Sequence, residues 1–228
     1  MAIITLNGGT IKTGRTEIKF PHKDKTITFI YPPKGPGNYE YLMNQIDQEE
    51  LLRPTTAEIL SLIDIVLQNP DEKHCGDILY KLRGCHLWTS TENLYTKEGI
   101  FVYDNIDGKI FDNEEELFKK LGKDNTIRFV SYGFKTGTQS VSDFVRNPYI
   151  LAQIGEGLQE VVERVTSKLK EMSYLDIGHI SGVEKAERFT VIDANWLSHG
   201  LFISGRFNGN DRGFSFGVNK TGKASAQK

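Results

Sequence analysis

Residues 126–172 read TIRFVSYGFKTGTQSVSDFVRNPYILAQIGEGLQEVVERVTSKLKEM and contain the longest periodic segment of the chain. The first part, 126–132, is rich in β-branched and aromatic side chains, which is typical of a strand. Residues 133–140 (GFKTGTQS) form a polar loop with two glycines. From Pro148 onward apolar residues recur at gaps of three and four, and this spacing predicts one helix of about six turns. The apolar positions are Leu151, Ile154, Leu158, Val161, Val165, Leu169 and Met172.

Strand-like segments lie at both ends of the chain, and helical segments lie mostly between them. Asn7-Gly8 is a strong hairpin signal, and we expect an antiparallel meander over roughly the first 31 residues. A capping box predicts a helix start in which Thr55 is the N-cap and Glu58 reaches back. The order of elements lacks the regular alternation of a doubly wound fold. The predicted fold is therefore α+β, with a mostly antiparallel sheet of N- and C-terminal strands packed against one long helix and several shorter helices.

Length and composition predict an ordinary globular protein. The chain has 228 residues, of which 38% are hydrophobic, and a net charge of −2. We expect residues 1–218 to form a single composite α+β domain and residues 219–228 to form a polar, basic tail. Two lobes that part near residues 112–124 are the alternative.

The same totals give no global argument for nucleic acid or a membrane surface as partner. No apolar run is long enough to predict a membrane-spanning helix, and the N-terminus lacks the apolar core of a signal peptide. Two cysteines argue against a disulfide framework. We therefore expect a cytoplasmic protein, and no motif predicts a cofactor.

The polar loop after the first strand is a candidate anion-binding site. A strand that leads through a glycine-rich loop into a helix offers backbone amides and a positive helix end to an anion. The candidate ligand-binding residues are Arg128, Lys135, Thr136, Gly137, Thr138 and Ser140. The segment is not a Walker A motif, because no Gly-Lys-Ser/Thr sequence occurs in it. A plain connection, with Ser140 or Ser142 as an ordinary helix cap, is the alternative.

A second candidate site lies in the C-terminal third. Asp176, His179, Asp193 and His199 are the candidate catalytic residues, because histidine with a carboxylate is the minimum for general acid–base chemistry. The competing interpretation is that the aspartates only form turns.

Two further features point more weakly to a site. His74-Cys75 and Cys85-His86 are metal-type pairs, but a helix between them would hold them about 10 Å apart, so no metal site is predicted. The N-terminal strands carry an excess of basic residues, including Lys23 and Lys25, which indicates either a solvated strand face or a binding surface.

Three classes of function agree with these features. The first is a binding or assembly module with a phosphate-bearing ligand, such as a nucleotide or nucleic acid, because of the loop at 133–140. A hydrolase-type enzyme using the histidine and aspartate set is the alternative. A protein that binds another protein, or a second copy of itself, is the third class, and the sequence leaves open whether the protein is an enzyme.

Overall fold

The computed structural model of the chain describes residues 3–6, 9–12, 16–108, 114–169, 172–176, 186–194 and 200–220. Within these residues, twelve strands form one sheet and seven helices accompany it. The first four strands pair in antiparallel order, as the sequence predicted. They are β1 (Ile3–Leu6), β2 (Gly9–Lys12), β3 (Thr16–His22) and β4 (Lys25–Gly37).

The last strand of the described residues lies inside the sheet rather than at its edge. Strand β12 (Gly213–Val218) pairs antiparallel with β4 and parallel with β5 (His86–Tyr95). A second parallel pair joins β9 (Met172–Asp176) to β11 (Leu201–Phe207). The sheet is therefore mixed, and the prediction of a mostly antiparallel sheet is wrong. Strands joined by long connections can run in either direction, which the spacing of strand-like segments does not reveal.

The remaining strands are β6 (Gly99–Asp104), β7 (Ile127–Ser131), β8 (Gly137–Ser140) and β10 (Ala186–Asp193). They lie on both sides of β5: β10 pairs with one side, and β6 pairs with the other side, which β12 also pairs with. From β5 the sheet continues through neighbouring strands in the order β10, β11, β9 and β8. Strands β6 and β7 form a branch, in which β6 pairs with both β5 and β7.

Seven helices lie in the described part of the chain. They are α1 (Tyr39–Gln48), α2 (Thr56–Gln68), α3 (Lys73–Gly84), α4 (Glu114–Lys120), α5 (Val141–Phe144), α6 (Pro148–Ile154) and α7 (Gln159–Leu169). The predicted capping box is confirmed at α2, where Thr55 Oγ1 accepts from the Glu58 amide and Glu58 accepts from the Thr55 amide. No helix in this part of the chain has the length and apolar composition needed to cross a bilayer.

The predicted long helix is two shorter helices, and the prediction of one helix is wrong. Gly155 and Gly157, between α6 and α7, have φ angles of 67° and 83°. A right-handed helix cannot continue through these angles, which glycine adopts without steric strain. The apolar period survives the break because Leu158, between the helices, is buried in the same core as Ile154 and Val165.

Helices cover both faces of the sheet. Adjacent residues of β5 point to opposite cores: Leu87 packs in the core that contains α2, α6 and α7, and Trp88 packs beneath α1. A third, smaller core lies under α4. The first of these cores packs α6 against the sheet near β7.

A buried polar network holds α6 in place. Tyr149 Oη and Gln153 Nε2, both on α6, donate to Asn93 Oδ1 on β5 at 2.8 and 2.6 Å. Asn93 Nδ2 in turn donates to Thr190 Oγ1 at 2.8 Å. Buried polar groups that all have partners specify one packing arrangement. The network therefore fixes one wall of the cleft described below.

Candidate functional site

The polar loop at 133–140 leads into a strand and a short helix rather than directly into a long helix. Residues 137–140 form β8, which pairs with β9, and the helix that follows, α5, is four residues long. Ser140 Oγ accepts from the Asp143 amide at 3.2 Å, so it is an ordinary N-cap. Thr136 and Thr138 are exposed on either side of the half-buried Gly137.

Lys135 has partners of its own. Its Nζ lies 3.1 Å from Asp143 Oδ2, and both side chains are more than half exposed. Its backbone carbonyl accepts from Asn147 Nδ2 at 2.7 Å and from Gln139 Nε2 at 3.1 Å. At Lys135 the backbone group that the loop directs toward the protein is therefore a carbonyl, which does not donate a hydrogen bond to an anion.

Arg128, the flanking candidate, lies elsewhere. The loop meets Asn147 at the start of α6, whereas Arg128 lies near Gly155 at the end of α6. The helix of seven residues between these points is about 10 Å long. The structure thus separates Arg128 from the other five predicted ligand-binding residues.

Arg128 lines a cleft of about 1180 Å³. The cleft is lined by β7 and by α6 with Gly155 and Glu156. The turn between β3 and β4 and the start of α2 also line it. Four basic side chains (Lys23, Lys25, Lys123, Arg128) and four acidic ones (Glu58, Asp104, Asp124, Glu156) line it.

The guanidinium of Arg128 is only partly satisfied. Its Nη1 donates to Asp104 Oδ2 at 2.8 Å and to the Asn125 carbonyl at 3.1 Å. Its Nε and Nη2 are buried and have no hydrogen-bond partner in the described structure. Each unsatisfied buried donor costs about 1–3 kcal/mol. These donors are therefore available to an acceptor that draws the guanidinium toward the cleft.

Lys23 approaches the same point from the β3–β4 hairpin. A Cβ atom placed on Gly155 would lie 3.5 Å from Lys23 Nζ and 4.0 Å from Arg128 Nη1, so the two cations are at most about 7.5 Å apart. Lys23 has a φ of 52°, an uncommon backbone conformation for a residue other than glycine. It is exposed and makes no ion pair with a described residue. The sequence showed only the basic excess to which Lys23 belongs, not its convergence with Arg128.

Lys25 and Glu58, two other charged side chains of the cleft, are paired with each other. Glu58 Oε1 lies 3.7 Å from Lys25 Nζ, and burial raises the Glu58 pKa above its ordinary value. Burial of the His22 ring, reinforced by the charges of Lys23 and Lys25, lowers its pKa from 6.5 to about 4. His22 is therefore neutral at pH 7, and the positive potential in this part of the cleft comes from the lysines.

The structure describes two of the four predicted catalytic residues, Asp176 and Asp193, and each has a partner of its own. Asp176 Oδ2 accepts from Arg206 Nε at 2.8 Å, and Asp193 Oδ2 lies 2.9 Å from His86 Nδ1. His179 and His199 lie outside the described residues. The two aspartates flank β11 on either side, next to Ser204 and Phe202. A joint site that uses all four residues remains a prediction.

His86 is a neighbour of Asp193 that the sequence did not pair with it. The sequence placed His86 with Cys85 as a metal-type pair, because residues 107 positions apart give no sign of contact. Among the described residues, no three His, Cys, Asp or Glu side chains gather as metal ligands would.

A buried carboxylate was also missed. Glu92 on β5 accepts from Tyr39 Oη at 2.8 Å and from Asn105 Nδ2 at 2.9 Å. Tyr103 donates to the neighbouring Glu187. Burial, reinforced by the charge of Glu187, raises the Glu92 pKa from 4.5 to about 7. Within its strand Glu92 follows polar residues, and nothing in that sequence marks it as buried.

Comparisons with known proteins leave the family open. No protein-family model and no curated protein match the chain. Among solved structures, the chain is similar to one described as "Accommodation of massive sequence variation in Nanoarchaeota by the C-type lectin fold". The two share 13% sequence identity over 87% of this chain and 98% of the other, with a TM-score of 0.49. A likeness at this level does not bear on function.

Proposed function

We propose that the protein is a binding module that holds an anionic group of its ligand, a phosphate or a carboxylate, between Arg128 and Lys23. The observation that carries the proposal is the Arg128 side chain, whose Nε and Nη2 are buried without partners beside the cleft. A guanidinium binds carboxylate and phosphate through paired hydrogen bonds, and a nearby ammonium adds a second charge. The phosphate of a nucleotide has the required chemistry.

The spacing of the two cations supports this assignment. Lys23 Nζ lies at most about 7.5 Å from Arg128 Nη1, so an anion placed between the ammonium and the guanidinium lies near both groups. Asp104 offsets part of the charge of Arg128, and the cleft has as many acidic as basic side chains. We therefore expect modest affinity that falls as salt screens the exposed lysine.

The test replaces Lys23 by asparagine. Lys23→Asn removes the ammonium and keeps a residue that tolerates a positive φ, so the hairpin should be retained. In equilibrium dialysis with pyrophosphate as the probe, we expect the affinity to fall about 5- to 20-fold, the scale of one lost charged hydrogen bond partly exposed to water.

Lys135→Ala is the matched control, because it removes an exposed lysine outside the cleft. If Lys135→Ala weakens binding and Lys23→Asn does not, the anion binds at the loop of residues 133–140 as the sequence predicted. If wild-type protein shows no saturable binding of pyrophosphate at low salt, anion binding is not its function, and an assembly role becomes the better proposal.

A further inference from the structure

Strand β7 is an edge of the sheet. Within the described residues it pairs with β6 alone, on one side. All five of its residues, Ile127–Ser131, line the cleft that contains Arg128. The cleft therefore runs along an open strand edge.

The backbone of β7 offers hydrogen-bonding groups to this cleft. In an antiparallel pair, alternate residues turn both their N–H and C=O groups toward the partner strand. The Asp104 amide donates to the Thr126 carbonyl, so Thr126, Arg128 and Val130 belong to the set that faces β6. Phe129 and Ser131 then turn their backbone groups away from β6, and neither has a backbone partner on that side among the described residues.

The two faces beside this edge differ in chemistry. Arg128 and Val130 point to the side of α6, where Lys23 also lies. Phe129 points to the opposite side, where its ring lies 5.9 Å from that of Phe118 on α4, which is 46% exposed. A strand added to β7 would place alternate side chains against cations and against aromatic rings.

We propose that the ligand is an extended peptide segment of another protein, which pairs with β7 as an added strand and alternates acidic with apolar residues. This inference rests on the proposed function, because an acidic side chain of the peptide supplies the anion between Arg128 and Lys23. Its apolar side chains cover Phe129 and Phe118. Strand addition takes affinity from main-chain hydrogen bonds and specificity from alternate side chains, and five residues of β7 give about 16 Å of contact.

The test uses a seven-residue blocked peptide that alternates valine and glutamate. We expect it to bind saturably and to slow hydrogen exchange of the Phe129 and Ser131 amides. A peptide with lysine in place of glutamate, and one with N-methyl groups on alternate amides, should bind at least 10-fold more weakly.

Two variants at one position separate backbone pairing from side-chain contact. Ser131→Pro removes an outward N–H at an edge, where proline is tolerated, and Ser131→Ala keeps that N–H. Ser131→Pro should weaken the peptide at least 5-fold and leave pyrophosphate unchanged, and Ser131→Ala should change neither. Lys23→Asn should weaken both ligands.

The contrary outcomes are distinct. Pyrophosphate binding without peptide binding overturns strand addition and leaves the anion site standing. Peptide binding that ignores both Ser131→Pro and N-methylation overturns strand addition, because charge alone then explains it. If Ser131→Pro does not fold, two measurements on the wild-type protein still test strand addition. They are the affinity of the N-methylated peptide and the hydrogen exchange of the Phe129 amide. If neither ligand binds, both proposals fail.

Discussion

Glu92 and His22 are buried side chains whose pKa values are displaced in opposite directions. The pKa of native Glu92 is raised from 4.5 to about 7, so between these pH values the native carboxyl keeps a proton that the unfolded chain releases. Its contribution to stability is complete below pH 4.5 and is lost as the pH rises through 7. His22, with its pKa lowered from 6.5 to about 4, contributes stability above pH 6.5 that is lost as the pH falls through 4.

In the wild type, the opposite effects of Glu92 and His22 on how stability changes with pH partly cancel. We therefore expect a substitution of either residue to reveal the effect of the other. Glu92→Gln should remove a loss of up to about 3 kcal/mol in the free energy of unfolding between pH 5 and 8, the value of its pKa displacement. His22→Gln should remove the loss on the acid side. Urea unfolding at half-unit pH steps measures both, and a Glu92→Gln protein with the full wild-type slope would show that Glu92 is not the titrating group.

For single residues, the sequence identified candidate charged side chains better than it predicted which of them lie close together. Arg128 was named as a ligand because it flanks the polar loop, yet it converges with Lys23, more than a hundred positions away. Lys135, central to the predicted site, is paired with Asp143 eight positions later. Contacts close in sequence can be read from spacing, whereas the Arg128–Lys23 convergence depends on how the hairpin and α6 pack.

The segment from Pro148 to Leu169 shows the same limit for an element. Its apolar period predicted burial, and Ile154, Leu158 and Val165 do lie in the main core. The period did not reveal that Gly155 and Gly157 break the helix, because a buried turn can continue an apolar stripe. The glycines were the signal, and their positive φ angles are the physical reason for the break.

Replacing these glycines by alanine should change stability in opposite directions for one continuous helix and for two helices separated by a turn. In a continuous helix, Gly→Ala would stabilise by about 1 kcal/mol. At Gly157 the added methyl group meets open space, so only backbone strain remains, and we expect Gly157→Ala to destabilise by about 1 kcal/mol. Gly155→Ala should destabilise more, by about 1–3 kcal/mol, because its φ and ψ lie in a region almost restricted to glycine.

Thermal and urea unfolding of the two variants measure whether each substitution raises or lowers the free energy of unfolding. A Gly157→Ala protein more stable than the wild type would mean that residues 148–169 form one helix in solution.

Across the whole molecule, β12 is the strand that joins the N-terminal meander to the rest of the sheet. It lies between β4 and β5, and Val218 and Leu52 exchange two backbone hydrogen bonds of 2.9 and 2.8 Å. The sequence predicted C-terminal strands, but not the central place of β12 in the sheet. Strand order depends on contacts between distant segments, and no local pattern carries that information.

Truncation tests whether residues 1–218 are one cooperative unit. The Asn219 amide donates to the Thr28 carbonyl at 2.8 Å, so the chain is still attached at that residue. A chain that ends at Lys220 should keep the wild-type unfolding midpoint. A chain that ends at Arg212 should lose the single cooperative transition, because β4 and β5 then lack their shared neighbour. Two separate transitions in the full chain would instead favour two lobes.

The central position of β12 also sets an order of events during synthesis. A ribosome makes β4 and β5 long before it makes Gly213–Val218, so one side of β4 and the start of β5 stay unpaired until then. Open strand edges are templates for pairing with other chains. Nascent chains and chains truncated before β12 should therefore depend on chaperones, whereas a chain that contains β12 closes the gap between β4 and β5.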